Sequence, residues 1–221
     1  MSKPTALIVG NGPPPSKDLF LQLVDQHERL LCADGGANFA VSCGRLPDWV
    51  VGDLDSVETG VQERVTVDRI VRIDADDTGT DLQKVLNHAL DLGVGSTVLT
   101  GVTGGRTDHA LWNLGLLKTY QSRLELRVVD DFNEIRLIRE KIRFSAHAGL
   151  KLSLSPLSGI VNGVTTKGLR FPLHGESLGN GIRDGISNEV VEEAVEISVE
   201  EGDLLLCIQR KEENTHIEIV T

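Results

Sequence analysis

Residues 48–56 read "DWVVGDLDS": a short apolar run, Trp49 to Val51, closed by a glycine and then by two aspartates two positions apart. A run this short, bounded by turn residues and built from aromatic and β-branched side chains, predicts a buried strand. In an extended segment residues i and i+2 point the same way. Asp53 and Asp55, at the exposed tip, are therefore expected to share one hard cation such as Mg2+. The plainer alternative is a solvated turn whose Asp and Ser cap the next helix.

The same grammar extends in both directions. "ALIVG" (6–10) is a second apolar run, stopped by "NGPPPS" (11–16), a turn that no helix or central strand contains. Leu19, Phe20, Leu23 and Val24 then recur at helical spacing. "LLCADGG" (30–36) predicts a strand and "ANFAVSC" (37–43) a helix, and "RIVRID" (69–74) gives a further strand. A strongly amphipathic helix follows, with Leu82, Val85, Leu86, Ala89 and Leu90 on one face and Thr80 as its N-cap. "STVLTGVTGG" (96–105), "RTDHALWNLGLLKTY" (106–120) and "LELRVVDD" (124–131) continue the strand-helix-strand series. Such alternation predicts an α/β domain with a mostly parallel sheet covered by helices on both faces.

After about residue 133 the period changes to two. "EIRLIREKIRF" (134–144), "LKLSLSPL" (150–157) and "VEISVEEGDLLLCIQ" (195–209) alternate apolar and polar residues, and "EEGD" (200–203) signals a hairpin turn. The expected layout is an α/β domain over residues 1–133 and an all-β sandwich over 134–221.

With 221 residues and 40% hydrophobic content the chain reads as globular. A net charge of −11, from 33 acidic and 22 basic residues, disfavours a nucleic-acid partner. No run approaches a membrane span, and "MSKPTALIVGNGPPPS" lacks the apolar stretch of a signal peptide, so a cytoplasmic protein is expected. Cys32, Cys43 and Cys207 lie in apolar surroundings without CxxC spacing and read as small hydrophobes. The six histidines do not cluster at zinc-ligand spacing, and no Walker-type loop or nucleophile elbow occurs.

In open α/β sheets ligands bind beyond the carboxyl ends of the strands. Four polar clusters fall there: "ADGGAN" (33–38), "GDLDS" (52–56), "DDTGTDL" (76–82) and "TGGRTDH" (103–109). Their aspartates would converge into a site that needs a cation or protonated carboxylates. Gly104 and Gly105 before a helix can turn backbone N–H groups toward an anion, and Arg106 adds a planar fork for phosphate oxygens. Gly35 and Gly36 permit close backbone approach, and Asp34 can accept from a ribose or a metal-bound water. In the β domain, "TTKGLRFPL" (165–173) offers Lys167 and Arg170, and "GISNEV" (185–190) offers Ser187 and Asn188.

Taken in order from residue 33 to 188, "ADGGAN", "GDLDS", the "TD" before a helix, "GGRTDH", "KGLRFPL" and "GISNEV" resemble the thiamine pyrophosphokinase (thiamine diphosphokinase) family. The resemblance implies Mg2+-dependent transfer of the terminal pyrophosphate of ATP to thiamine, giving thiamine diphosphate and AMP. It also implies an ATP- and Mg-binding N-terminal domain, a thiamine-binding and dimerising C-terminal sandwich, and a homodimer with thiamine where subunits meet. Carried over by motif, Asp53, Asp55 and Asp81 are the metal ligands, and with Arg106 and Asp108 they form the catalytic set. Asp34, Gly35, Gly36, Asn38, Thr80, Thr103, Gly104 and Gly105 fall to the nucleotide, and Ser187, Asn188 and Lys167 to thiamine. One position departs from the family pattern: Thr78 stands where D-x-T-D has its first Asp, with Asp76 and Asp77 just upstream as substitutes. The aromatic that animal members place after "SN" is also missing, since Glu189 follows Asn188.

Two other readings compete. A haloacid-dehalogenase-like phosphatase would use Asp53 as nucleophile and Asp55 as acid, although that motif normally opens its domain. A non-catalytic nucleotide-binding module would keep the glycines but has little use for four acidic strand ends.

Overall fold

The structure, a computed structural model, describes residues 3–74 and 79–210, with the backbone of Glu218–Ile219. Asp76, Asp77 and Thr78 lie outside the described residues. The chain divides into two compact units, Met1–Asp131 and Phe132–Thr221.

The first unit runs β1 (Thr5–Val9), α1 (Lys17–Asp25), β2 (Arg29–Ala33), α2 (Gly36–Ser42), β3 (Trp49–Gly52), α3 (Thr59–Gln62), β4 (Ile70–Arg72), α4 (Asp81–Asp91), β5 (Ser96–Thr100), α5 (Thr107–Tyr120) and β6 (Glu125–Val129). The strands are parallel in the order β6-β5-β1-β2-β3-β4. Parallel strands covered on both faces must be apolar on both, and Ala6 to Val9 and Leu30 to Ala33 are buried without a break. Leu7, Val9, Leu30 and Cys32 share one core with Phe20, Leu23, Ala37, Ala40 and Val50. Phe20 and Phe39 meet edge to face there, ring centroids 5.1 Å apart. On α4, Leu82, Val85, Leu86 and Ala89 are buried, as the sequence period requires, and the helix packs on β2 and β3. Its start is fixed by a capping box: Thr80 Oγ1 accepts from Gln83 N and Gln83 Oε1 accepts from Thr80 N.

From β1 the chain adds strands toward one edge, then returns to place β5 on the other side of β1. Strand order therefore reverses between β1 and β5, the place where an open sheet forms its ligand crevice. The loops after these two strands are tied to each other. Gly10 N donates to Thr100 O and Gly12 N to Gly101 O, both at 2.8 Å. A Cβ at Gly10 would stand 2.6 Å from the Gly101 carbonyl oxygen, which excludes any side chain.

The second unit is all β: β7 (Asn133–Ile138), β8 (Lys141–Ser145), β9 (Lys151–Lys167), β10 (His174–Gly179), β11 (Gly185–Glu189), β12 (Ala194–Ser198), β13 (Glu201–Gln209) and β14 (Glu218–Ile219). The long β9 belongs to both layers. Its first part pairs with β13 and β11, its second part with β12 and β10. Gly159 and Gly163, at φ 64° and 65°, lie at the bend between them. Leu152, Leu154, Val161, Val164, Leu178, Ile197, Leu204 and Leu206 fill the interior. The expected hairpin at "EEGD" is corrected: β12 pairs with β8 and β9, and β13 with β7 and β9, so this turn carries the chain from one sheet to the other. Among the described residues no helix is long and apolar enough to cross a membrane.

Candidate active site

The crevice of the first unit is a cleft of about 580 Å³, lined by the loop after β1, the tips of β2 and β3, the start of α4 and the loop from Gly101 to Arg106. Three carboxylates meet at it. Asp34, Asp53 and Asp81 bring one oxygen each to within 4.8 Å of one another. They come from the ends of β2 and β3 and the first residue of α4.

The trio differs from the sequence expectation, and the reason is local. Leu54 adopts φ +68°, so the chain between Asp53 and Asp55 is not extended and the two side chains do not share a direction. Asp55 is exposed and turned into its own loop, where Ser56 Oγ donates to its Oδ1 at 2.8 Å. Asp34 takes its place in the group. Both loops rest on strained residues, since Asp34 itself sits at φ +45°. Non-glycine residues in this region cost about 1–3 kcal/mol and persist where surrounding structure over-determines them.

Asp34 is 2% exposed. Asn11 Nδ2 donates to its Oδ2 at 3.4 Å, while Oδ1 has no partner among the described residues. Burial pushes its carboxyl above the usual range, the Gly35 backbone N–H and the Ser56 side chain draw it down, and the charges of Asp81 and Asp55 push it up again. Oxygen-only donors, a buried orphan lone pair and mutual repulsion together fit a hard divalent cation. Lys84 is buried beside the group, its Nζ 3.2 Å from Asp81 Oδ1, and Arg72 Nη1 donates to Asp53 O at 3.4 Å.

Gly104 and Gly105, also lining the cleft, lead at φ 76° and 61° into α5, whose N-cap residue Arg106 makes no side-chain capping bond. This is a ready anion site. Arg106 lines the cleft, but its fork is occupied: Nε donates to Asp108 Oδ1 at 3.2 Å and a terminal nitrogen to Oδ2 at 2.6 Å. That bond holds Asp108 down to about 2. Asp108 thus pairs with Arg106 and is not a member of the carboxylate trio.

Other sequence candidates are placed differently. Gly36 works by close approach, since a Cβ there would meet Val9 O at 2.4 Å; a Cβ at Gly35 would strike Asn11. Asn38 ties down the Asp53 loop, donating to Ser56 O at 2.8 Å and accepting from Glu58 N at 3.0 Å. Thr80 caps α4 while lining the cleft, and Thr103 donates to Asp130 Oδ2 at 2.8 Å. Asn11, Gly12, Lys84 and Asn113, which no motif singles out, also line the cleft, as does His109, a residue that reads as a helix-surface histidine. The "NG" inside "NGPPPS" was the available signal.

In the second unit Ser187 lines a separate hollow with Lys151, Ser153 and Gln209, and holds φ +58°. Asn188 is 4% exposed and committed to the chain. Its Oδ1 accepts from Phe171 N and Glu189 N, and its Nδ2 donates to Phe171 O. It latches the "GLRFPL" loop instead of offering a free amide. Lys167 is exposed and pairs with Glu196 at 3.5 Å.

Comparison with known proteins adds two matches along the chain: residues 20–129 match the family described as thiamin pyrophosphokinase, catalytic domain, and 139–204 the thiamin pyrophosphokinase, vitamin B1 binding domain. The thiamine pyrophosphokinase of Bacillus subtilis is 28% identical over 216 residues, covering 91% of this chain and 97% of that one. Thiamine pyrophosphokinase 2 of Arabidopsis thaliana is 28% identical, covering 87% and 82%. Among solved structures, thiamin pyrophosphokinase from Geobacillus thermodenitrificans superposes with a TM-score of 0.80 at 26% identity, covering 94% of this chain and 98% of that one. The Bacillus subtilis enzyme superposes at 0.81 with 24% identity, covering 94% and 99%.

Proposed function

We propose that this chain, which belongs to the thiamine pyrophosphokinase family, transfers pyrophosphate from ATP to the hydroxyl of thiamine, giving thiamine diphosphate and AMP. The observation that carries the reading is that one cleft brings together two kinds of group. Members of a carboxylate trio with an orphan buried oxygen share its lining with a glycine-framed helix N-terminus. Such a combination suits a polyphosphate bridged to acid by a cation.

In the reaction the thiamine hydroxyl oxygen bonds to the β-phosphorus of ATP, the α,β-bridging bond breaks, and AMP departs with that electron pair as the hydroxyl proton is lost. In-line positioning and charge neutralisation supply most of the rate. Gly104, Gly105 and the first turn of α5 would hold phosphate oxygens through backbone N–H groups. Arg106 would exchange Asp108 for the nucleotide, a swap that its exposed position permits. Asp34, Asp53 and Asp81 would hold Mg2+, which when bound offsets charge on the phosphates. Asp55 adds negative charge at the rim.

We further propose that the second unit supplies the thiamine side through Ser187, and that the protein is a cytoplasmic homodimer. Phe171, Ile182 and Ile186 are large hydrophobic side chains left exposed on that unit, which a partner would cover. The direct test is AMP formation from ATP with Mg2+, with and without thiamine. Thiamine-dependent AMP supports the reading; phosphate release with a phosphoaspartate on Asp53 would replace it with a phosphatase.

A further inference from the structure

Lys84 occupies an unusual position for an ammonium. Its side chain is 7% exposed, inside the first turn of α4, between the buried Leu82, Val85 and Leu86 of the same helix. Lysine is almost never fully buried unless paired. Here its three donors have three acceptors: Asp81 Oδ1 at 3.2 Å, and the carbonyls of Ile73 and Asp74 at 3.4 Å each, just past the end of β4. The apolar packing of α4 on β2 and β3 does not call for a charge. The neighbour that does is the carboxylate trio, three like charges with oxygens inside 4.8 Å.

We propose that Lys84 is a positioning residue: the chain's own counter-cation for the Asp34–Asp53–Asp81 trio. It fixes Asp81 and tempers the repulsion when no metal is present. Ionised, the three carboxylates and one ammonium sum to a charge of minus two, which one divalent cation cancels. The lysine thus lets the trio fold before the metal arrives and matches the site to a divalent charge. This rests on the metal role proposed above and adds a residue that acts through Asp81.

The test uses the full-length protein, thermal melting in EDTA and in Mg2+, and Mn2+ binding followed by electron paramagnetic resonance. Lys84→Met leaves the trio uncompensated. In EDTA its Tm is expected to fall by about 3 °C or more, and Mg2+ should recover most of that loss, a larger gain than in wild type. Mn2+ should bind the variant about threefold tighter or better. Lys84→Arg should behave as wild type, and Lys84→Met with Asp81→Asn should regain metal-free stability because one repelling charge is gone. If Lys84→Met folds only when refolded with Mg2+, the proposal stands; if it fails with and without Mg2+, or loses equal Tm in both, Lys84 is merely structural. Weaker Mn2+ binding by the variant also overturns it. Wild-type protein that binds no Mn2+ overturns the metal reading itself, whereas Mn2+-binding wild type beside a Mg2+-insensitive Lys84→Met overturns only the role of Lys84.

Discussion

Arg106 grips Asp108 with two bonds, although the two side chains are 70% and 65% exposed. Two residues apart at the head of α5, they neutralise each other where the anion site lies. An incoming polyphosphate must compete with Asp108 for the guanidinium, so the pair sets how readily the fork is released. Arg106→Lys keeps the charge and loses the fork. It is expected to lower kcat/KM for ATP about tenfold, roughly one charged hydrogen bond, with KM for thiamine little changed. Steady-state AMP formation checks this, and unchanged kinetics would confine Arg106 to holding Asp108.

Asp34, Asp53 and Asp81 form the trio, and Asp55 does not. Asp34→Asn, Asp53→Asn and Asp81→Asn are each expected to weaken Mn2+ binding about tenfold or more, at ~1.4 kcal/mol per tenfold. Asp55→Asn should weaken it less. Asp34→Asn should also raise the metal-free Tm, since it removes a buried carboxylate whose Oδ1 has no partner among the described residues. An Asp55→Asn variant that lost binding as fully as Asp53→Asn would mean that the loop at Leu54 rearranges around the ion.

These contrasts show where sequence reading reached and where it stopped. "DWVV" and the helix of Leu82, Val85 and Leu86 were legible because burial imposes a period on side chains. The i, i+2 pairing of Asp53 and Asp55 assumes extended backbone, and Leu54 at φ +68° departs from it, which no residue type in the motif announces. Lys84 was hidden by the same helical pattern that revealed its neighbours, since a polar residue beside an apolar stripe reads as surface. The hydrogen bonds from Gly10 to Thr100 and from Gly12 to Gly101 join residues far apart in the chain, and no local signal reports them. In the second unit the alternation was legible but the pairing was not, because β9 bends into two layers.

Asn188 separates folding from binding. Its three bonds to Phe171 and Glu189 are lost in Asn188→Ala, leaving two backbone N–H groups and a carbonyl without those partners. The expected loss is about 2 kcal/mol, read as a lower urea midpoint. Ser187→Gly instead removes a hydroxyl and relieves a positive φ, so it should gain about 1 kcal/mol. If Ser187 meets thiamine, the same variant raises KM for thiamine several-fold and leaves that for ATP alone.

His88 makes stability depend on pH. Its ring packs edge-on against Trp49, centroids 4.9 Å apart, and its Nε2 is buried with no partner among the described residues. Burial holds its pKa below the usual 6.5, against the pull of Asp91. The unfolded chain therefore takes up the proton first, and stability falls as pH drops through about 6.5 toward the lower folded value. For a half-buried ring the effect is modest, and it is felt below about pH 6.5. Urea midpoints across that range should fall in wild type and flatten in His88→Phe; parallel curves would assign the dependence elsewhere.

Isotope position in the product tests the proposed chemistry most directly. ATP labelled with 32P at the β-phosphorus, incubated with the protein, Mg2+ and thiamine, is expected to deliver its label to thiamine diphosphate and to leave AMP unlabelled, in equal amounts. Label retained in ADP, or released as inorganic phosphate whether or not thiamine is present, would contradict pyrophosphate transfer.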